Sequence, residues 1–166
     1  NLGCGSEYMP GYTNIDSDET CICDMYMNFQ DIKNHFRPGS IKEVQMIHSL
    51  NYLNLWDARK LFREIHVLLE TDGVFIIEQP EIKKVATKLL EEDENLSEYL
   101  EVIRSIYAFD FKQMQEGENY TPYSFGWSER HLIRELNQVG FSKIEVLPPQ
   151  KHGKRMWRDI RLECRK

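Results

Sequence analysis

Val74-Phe75-Ile76-Ile77-Glu78 is the stretch that most narrows what this chain can fold into. Val74, Phe75, Ile76 and Ile77 follow one another without a polar break, so neither face of an extended segment is left for water. Such a run suits a strand covered on both sides in a parallel sheet, where an open antiparallel strand would alternate. Asp72-Gly73 precedes it and Pro80 closes it. Upstream, Leu61, Phe62, Ile65, Leu68 and Leu69 recur at three- and four-residue intervals, the apolar stripe of an amphipathic helix over residues 57–70, ended by Asp72-Gly73. A helix feeding a doubly buried strand predicts an α/β domain.

The rest of the chain alternates in the same way. Residues 12–16 and 20–24 read as short strands, each closed by an acid, Asp16 and Asp24. Phe29, Ile32 and Phe36 follow at helical spacing until Pro38-Gly39, and residues 43–48 form a further strand. Helical patterns cover residues 82–92 and 96–109, and residues 110–123 read as a loop. Ser128 is placed to cap a helix running to Val139, with Gly140 as its stop. Residues 141–147 and 156–164 are two more strands, joined by Pro148-Pro149 and a basic turn. At the start, Asn1-Leu2-Gly3-Cys4-Gly5 reads as the tail of a strand entering a glycine turn, with the strand itself cut short.

Composition bounds the function. With 166 residues the chain suits one core, and 21 Lys+Arg against 27 Asp+Glu give a formal charge of −6. An acidic balance argues against nucleic acid or an anionic membrane as the main partner, because both select basic patches. No apolar run approaches the roughly 18 residues of a membrane span, and no leader-like segment opens the sequence, so the expectation is a cytoplasmic protein. Cys4, Cys21, Cys23 and Cys164 form no C-x-x-C pair, which predicts reduced thiols and no metal site.

Ligands of open α/β sheets bind beyond the carboxyl ends of the strands. The residues expected there are Gly3 to Gly5, Asp16, Asp24, His48 and Glu78-Gln79-Pro80. Glycine lets backbone approach a ligand because no Cβ intrudes. A strand-terminal carboxylate can accept two hydrogen bonds from the vicinal hydroxyls of a ribose. Each feature also has a plainer reading, a tight turn for Gly-x-Gly and a turn or helix cap for either acid; their recurrence at successive strand ends favours a nucleoside site.

Leu2-Gly3-Cys4-Gly5 followed by Gly11-Tyr12-Thr13-Asn14-Ile15-Asp16 resembles the class I S-adenosylmethionine-dependent methyltransferases, especially the small bacterial type 11-like group. The likeness continues through His48-Ser49-Leu50-Asn51-Tyr52-Leu53, the segment Leu61 to Leu69 with Asp72-Gly73, Phe125-Gly126-Trp127-Ser128 and Val139-Gly140-Phe141. It implies a Rossmann-like methyltransferase fold, a mostly parallel seven-stranded sheet with an antiparallel C-terminal hairpin, its first strand truncated here. It also implies S-adenosyl-L-methionine as cofactor and a small-molecule acceptor, a saccharide among the candidates. Gly3, Cys4 and Gly5 would pass the methionine portion, Asp16 would hold the ribose, Asp24 with Met25 would face the adenine, and His48 would lie beside the sulfonium end.

His48 is also the candidate general base for a hydroxyl acceptor, since an imidazole titrates near pH 6.5; the plainer reading is a polar strand-end residue. His131 is expected to face solvent, and His35, His66 and His152 to lie at the surface. Residues 83–123 carry Tyr99, Tyr107, Phe109, Phe111, Tyr120 and Tyr123 and read either as an inserted lid or as helices packed on the core. Glu91-Glu92-Asp93-Glu94 reads as a solvated helix end, and Lys151, Lys154, Arg155 and Arg158 as a solvated basic turn that could meet an anionic acceptor. Relatives carry an acid-His pair where Asn51-Tyr52 stands, and a histidine where Tyr123 stands. Those changes imply either a different acceptor or a catalytically silent binding module. A nicotinamide-dependent oxidoreductase fits less well: Gly5 is followed by Ser6-Glu7-Tyr8, so the third glycine of its fingerprint is missing.

Overall fold

The buried run becomes the centre of the molecule. A computed structural model describes residues 1–91, 95–108, 121–151 and 153–166, with Lys154 by its backbone only. Glu92, Asp93, Glu94, Phe109, Phe111, Tyr120, His152 and the side chain of Lys154, all singled out above, lie outside the described residues.

The strands are β1 (Ile15–Asp16), β2 (Met25–Tyr26), β3 (Ile41–Ile47), β4 (Leu69–Pro80), β5 (Ser142–Leu147) and β6 (Asp159–Arg165). The helices are α1 (Ile32–His35), α2 (Leu55–Leu68), α3 (Ile82–Glu91), α4 (Leu96–Tyr107) and α5 (Glu129–Val139). Strand β4 lies between β3, parallel to it, and β6, antiparallel to it, and β5 pairs with β6 at the edge. The expected antiparallel C-terminal hairpin is therefore present.

A seven-stranded sheet is not. Among the described residues there is a four-stranded mixed sheet and a separate parallel pair, β1 with β2. Leu2 links the two: it bridges Ile15, and its N–H donates to the Gln45 carbonyl of β3 at 2.8 Å. The Gly3 N–H donates to the Ile15 carbonyl at 2.8 Å.

Phe75 and Ile77 of β4 pack in one cluster with Leu61, Phe62, Ile65 and Leu68 of α2 and with Leu132 and Leu136 of α5. By strand alternation Ile76 and Glu78 turn to the opposite face. Helix α2 is started by Asn54, whose side chain accepts from the N–H groups of Trp56 and Asp57. It ends at Leu68, earlier than its pattern suggested, and Glu70–Gly73 bulge out of register before pairing resumes at Val74, with Asp72 in the left-handed region. Ser128 caps α5 through the His131 N–H, and Gly140, at φ +112°, ends it, as its composition predicts.

Glu81, directly after β4, ties two distant segments together. It bridges Trp127, and the Ile82 N–H donates to the Trp127 carbonyl at 2.9 Å. Its buried carboxylate accepts from the Lys84 N–H at 2.7 Å and from the Glu129 N–H at 3.1 Å, so one side chain caps α3 and α5. All four cysteines are unpaired. No helix among the described residues is long and apolar enough to cross a membrane.

Candidate functional site

The glycine turn and β1 meet at one edge of a cleft of about 480 Å³ whose lining includes Gly3, Cys4, Gly5, Asp16, His48 and Tyr52. Gly3 has φ +71°, and a Cβ there would stand 2.3 Å from the Ser49 Cβ, so only glycine fits. Ser49 in turn donates through Oγ to the Leu2 carbonyl at 2.8 Å and fixes the turn against β3. The Gly5 N–H donates to Asp16 Oδ2 at 2.8 Å, and the Asp18 N–H to Asp16 Oδ1 at 3.0 Å. A carboxylate offers about four lone-pair directions, so both oxygens keep capacity for a diol. The Cys4 thiol is pushed up to about 11, first by burial and then by Asp16, and stays protonated.

Asp24 and Met25 do not line this cleft; Asp18, Cys21 and Phe29 do. Residues 20–24 form a turn, and the strand starts one residue later, at Met25. The Asp24 carboxylate accepts from the Asn14 N–H at 2.7 Å and from the Tyr8 hydroxyl at 3.0 Å. The Asn14 N–H bond chiefly holds this carboxyl below its ordinary value. Asp24 thus braces the loop that enters β1. Met25 packs against the core.

His48 follows β3 directly and sits at φ +55°, with its N–H donating to the Glu78 carbonyl of β4 at 2.7 Å. Its Nε2 lies 2.9 Å from Oδ2 of Asp159, which is fully buried. Arg158 Nε donates to the other Asp159 oxygen at 3.0 Å, and Arg158 Nη1 to Ser105 Oγ at 2.9 Å. A carboxylate oxygen accepts, so Nε2 is the nitrogen that donates to Asp159, and Nδ1 faces Arg158 Nη2 at 3.5 Å. The partners are 111 residues apart and meet because Asp159 pairs with Pro80 across β4 and β6. No spacing in the sequence announces that pair; the signal available was only an acid at the head of a strand.

Ligand atoms of His48, Glu78 and Asp159 lie within 4.8 Å of one another, close enough to hold a metal. Their donors are already engaged. Glu78 accepts from the N–H groups of Lys151 and Gln150 at 2.7 and 3.0 Å and from Arg161 at 3.1 Å. Arg161 on Glu78, and Arg158 on Asp159 and 3.5 Å from His48 Nδ1, disfavour a further cation.

His131 is half-buried, not solvent-facing: it lies 5.3 Å from the Trp127 ring and 3.2 Å from Glu135. His66 also leaves the surface and meets Phe141 edge-on at 5.0 Å, where burial lowers its pKa. His35 is exposed, as expected. Tyr99 and Tyr107 are exposed, whereas Tyr52 and Tyr123 meet edge to face at 5.0 Å. Arg158, read as part of a solvated turn, is buried.

No family model matches the chain, and no curated protein matches it in sequence. Solved structures do match it in shape. A SAM-dependent methyltransferase from Archaeoglobus fulgidus superposes with a TM-score of 0.65 at 9% identity, over 99% of this chain and 84% of its own. One from Methanosarcina mazei gives 0.66 at 14% identity, over 99% and 90%. One from Mesorhizobium loti gives 0.62 at 14%, over 99% and 88%. The chain has the α/β fold of S-adenosylmethionine-dependent methyltransferases.

Proposed function

We propose that the protein is an S-adenosylmethionine-dependent methyltransferase acting on a small-molecule acceptor, a saccharide among the candidates. The observation that carries this is the cleft itself: Gly3, Gly5, Asp16 and His48 line one cavity at the strand ends of a methyltransferase fold. The residues fit the cofactor, since the turn offers backbone without side chains and Asp16 turns both oxygens to N–H groups at the cleft edge. Asp16 would hold the ribose hydroxyls, and Gly3, Cys4 and Gly5 would run beside the methionine portion. Asp24 with Met25 would face the adenine, and Asp18 and Cys21, which line the cleft beside Asp16, are further candidates for that end.

S-adenosylmethionine, when bound, supplies an electrophilic methyl group, so the protein's task is to orient and to remove a proton. His48 is the candidate base for an acceptor hydroxyl, its ring held between the buried Asp159 at Nε2 and Arg158 at Nδ1. This dyad favours an active enzyme over a silent module of the same fold.

Titration calorimetry with S-adenosylhomocysteine tests the reading. Saturable binding is expected, and no heat at millimolar ligand sinks the proposal.

A further inference from the structure

The glycine turn has a second side. A cavity of about 280 Å³ lies there, its lining including Gly3, Cys4, Glu7, Met9, Ile47 and Lys151. Gly3, Cys4, Glu7 and Ile47 also line the main cleft, so the two spaces meet at the turn. Asp16 and His48 belong to the cleft alone, and Met9 and Lys151 to the cavity alone. A molecule with its sugar at Asp16 that crosses Gly3 and Cys4 thus arrives beside Lys151.

The lining of the cavity carries one acid and one base, Glu7 and Lys151. Among the described residues neither the Glu7 carboxylate nor the Lys151 ammonium has an ion-pair or hydrogen-bond partner, and the two do not pair with each other. Their main chain, by contrast, is fixed. The Lys151 N–H donates to Glu78 Oε1 at 2.7 Å, and the fully buried Glu78 also accepts from the Gln150 N–H and from Arg161. The Glu7 N–H donates to the Cys4 carbonyl at 2.8 Å, and its carbonyl accepts from the Asn1 side chain at 3.2 Å. Both residues are therefore anchored at the cavity with their charged ends uncommitted, so little ordering is needed to engage a ligand. Lys151 is half-buried and Glu7 exposed, which gives the lysine the larger share.

We propose that this cavity receives the amino-acid end of S-adenosylmethionine, with its carboxylate at Lys151 and its ammonium at Glu7. The proposal deepens the methyltransferase reading and rests on it. A zwitterion matches one base and one acid, each by a charge-assisted hydrogen bond, whereas a neutral or singly charged group leaves at least one of them unmatched. The turn itself adds no competing charge: Gly3 and Gly5 have no side chain, and burial keeps the Cys4 thiol protonated. Lys151 belongs to a turn whose composition reads as solvated, and the Glu78 anchor is what holds it at the cavity.

The test is calorimetry on the intact chain with two ligands, S-adenosylhomocysteine and its decarboxylated analogue, which keeps the ammonium and lacks the carboxylate. The unmodified protein should bind the analogue about tenfold more weakly. Lys151→Met should weaken S-adenosylhomocysteine about tenfold and leave the analogue within about twofold, because the contact it removes is already missing there. Lys151→Arg should recover part of the loss. Glu7→Gln should weaken both ligands, by a smaller factor. Kept affinity for the analogue also shows that Lys151→Met folds. The proposal is overturned by S-adenosylhomocysteine affinity untouched in Lys151→Met or in Glu7→Gln, or by an analogue bound as tightly as the parent ligand. Equal loss of both ligands in a Lys151→Met protein whose urea midpoint is unchanged overturns it too. Loss of the underlying reading shows separately, as absent binding of either ligand to the unmodified protein.

Discussion

The two sides of the cleft are built by different physics. On the Asp16 side, short strands and a glycine turn are held by main-chain hydrogen bonds between residues close in sequence, such as the Gly3 N–H to the Ile15 carbonyl. On the His48 side, charged side chains from β3, β4, β6 and α4 meet across the whole chain, as in His48 with Asp159 and Arg158 with Ser105. The first side is a shape that backbone takes and that side chains must not spoil. The second is a charge arrangement that backbone only brings within reach. Binding of a cofactor suits the former, and proton chemistry the latter.

That contrast can be broken at either side. The largest effect is expected at the dyad: His48→Gln should lower kcat about a thousandfold, about 4 kcal/mol of barrier, with S-adenosylhomocysteine affinity unchanged in calorimetry. Asp159→Asn should lower kcat in the same direction by releasing the ring. A variant at His48 that weakened cofactor binding as much as turnover would erase the division between the two sides.

Gly3→Ala comes next. The added methyl meets Ser49 at φ +71°, so urea unfolding should show a loss of about 3 kcal/mol. Asp16→Ala should weaken S-adenosylhomocysteine by about 2 kcal/mol, roughly thirtyfold, while kcat at saturation is kept. The smallest effect is at Asp24. Its pKa is lowered in the fold, mainly by the Asn14 N–H, so its contribution is present above the ordinary carboxylate range and lost as pH falls through the depressed value. Asp24→Asn should therefore flatten the acid limb of a stability-versus-pH curve.

The same division explains what could be read from residues. The doubly buried β4, the α2 stripe and the caps of α5 depend on local pattern, and each appears within a few residues of where it was expected. So does the glycine turn facing Asp16, because eleven residues separate the partners in that hydrogen bond. The strand expected over residues 20–24 starts just after them, at Met25. Cys21 to Tyr26 do alternate in exposure, but pairing begins only at Met25, and a one-residue slip turns a side chain to the other face. The Asp159 partnership, the burial of Arg158 and the place of Arg104 beside the basic turn were illegible for a different reason. They depend on the β4–β6 register and on where α4 returns to the sheet, neither of which leaves a periodic trace.

Glu81 carries a consequence for how such a protein can diversify. By bridging Trp127 and capping both α3 and α5, it pins the exit and the return of the intervening chain to a single point. The entropy of closing that loop is met by the anchor, and further lengthening costs only about 0.6 kcal/mol per doubling. The segment between Ile82 and Trp127 can therefore vary in length at little cost to the sheet, subject to the contacts it makes through Ser105 with Arg158 and through Ser124 and Phe125 with Asn51.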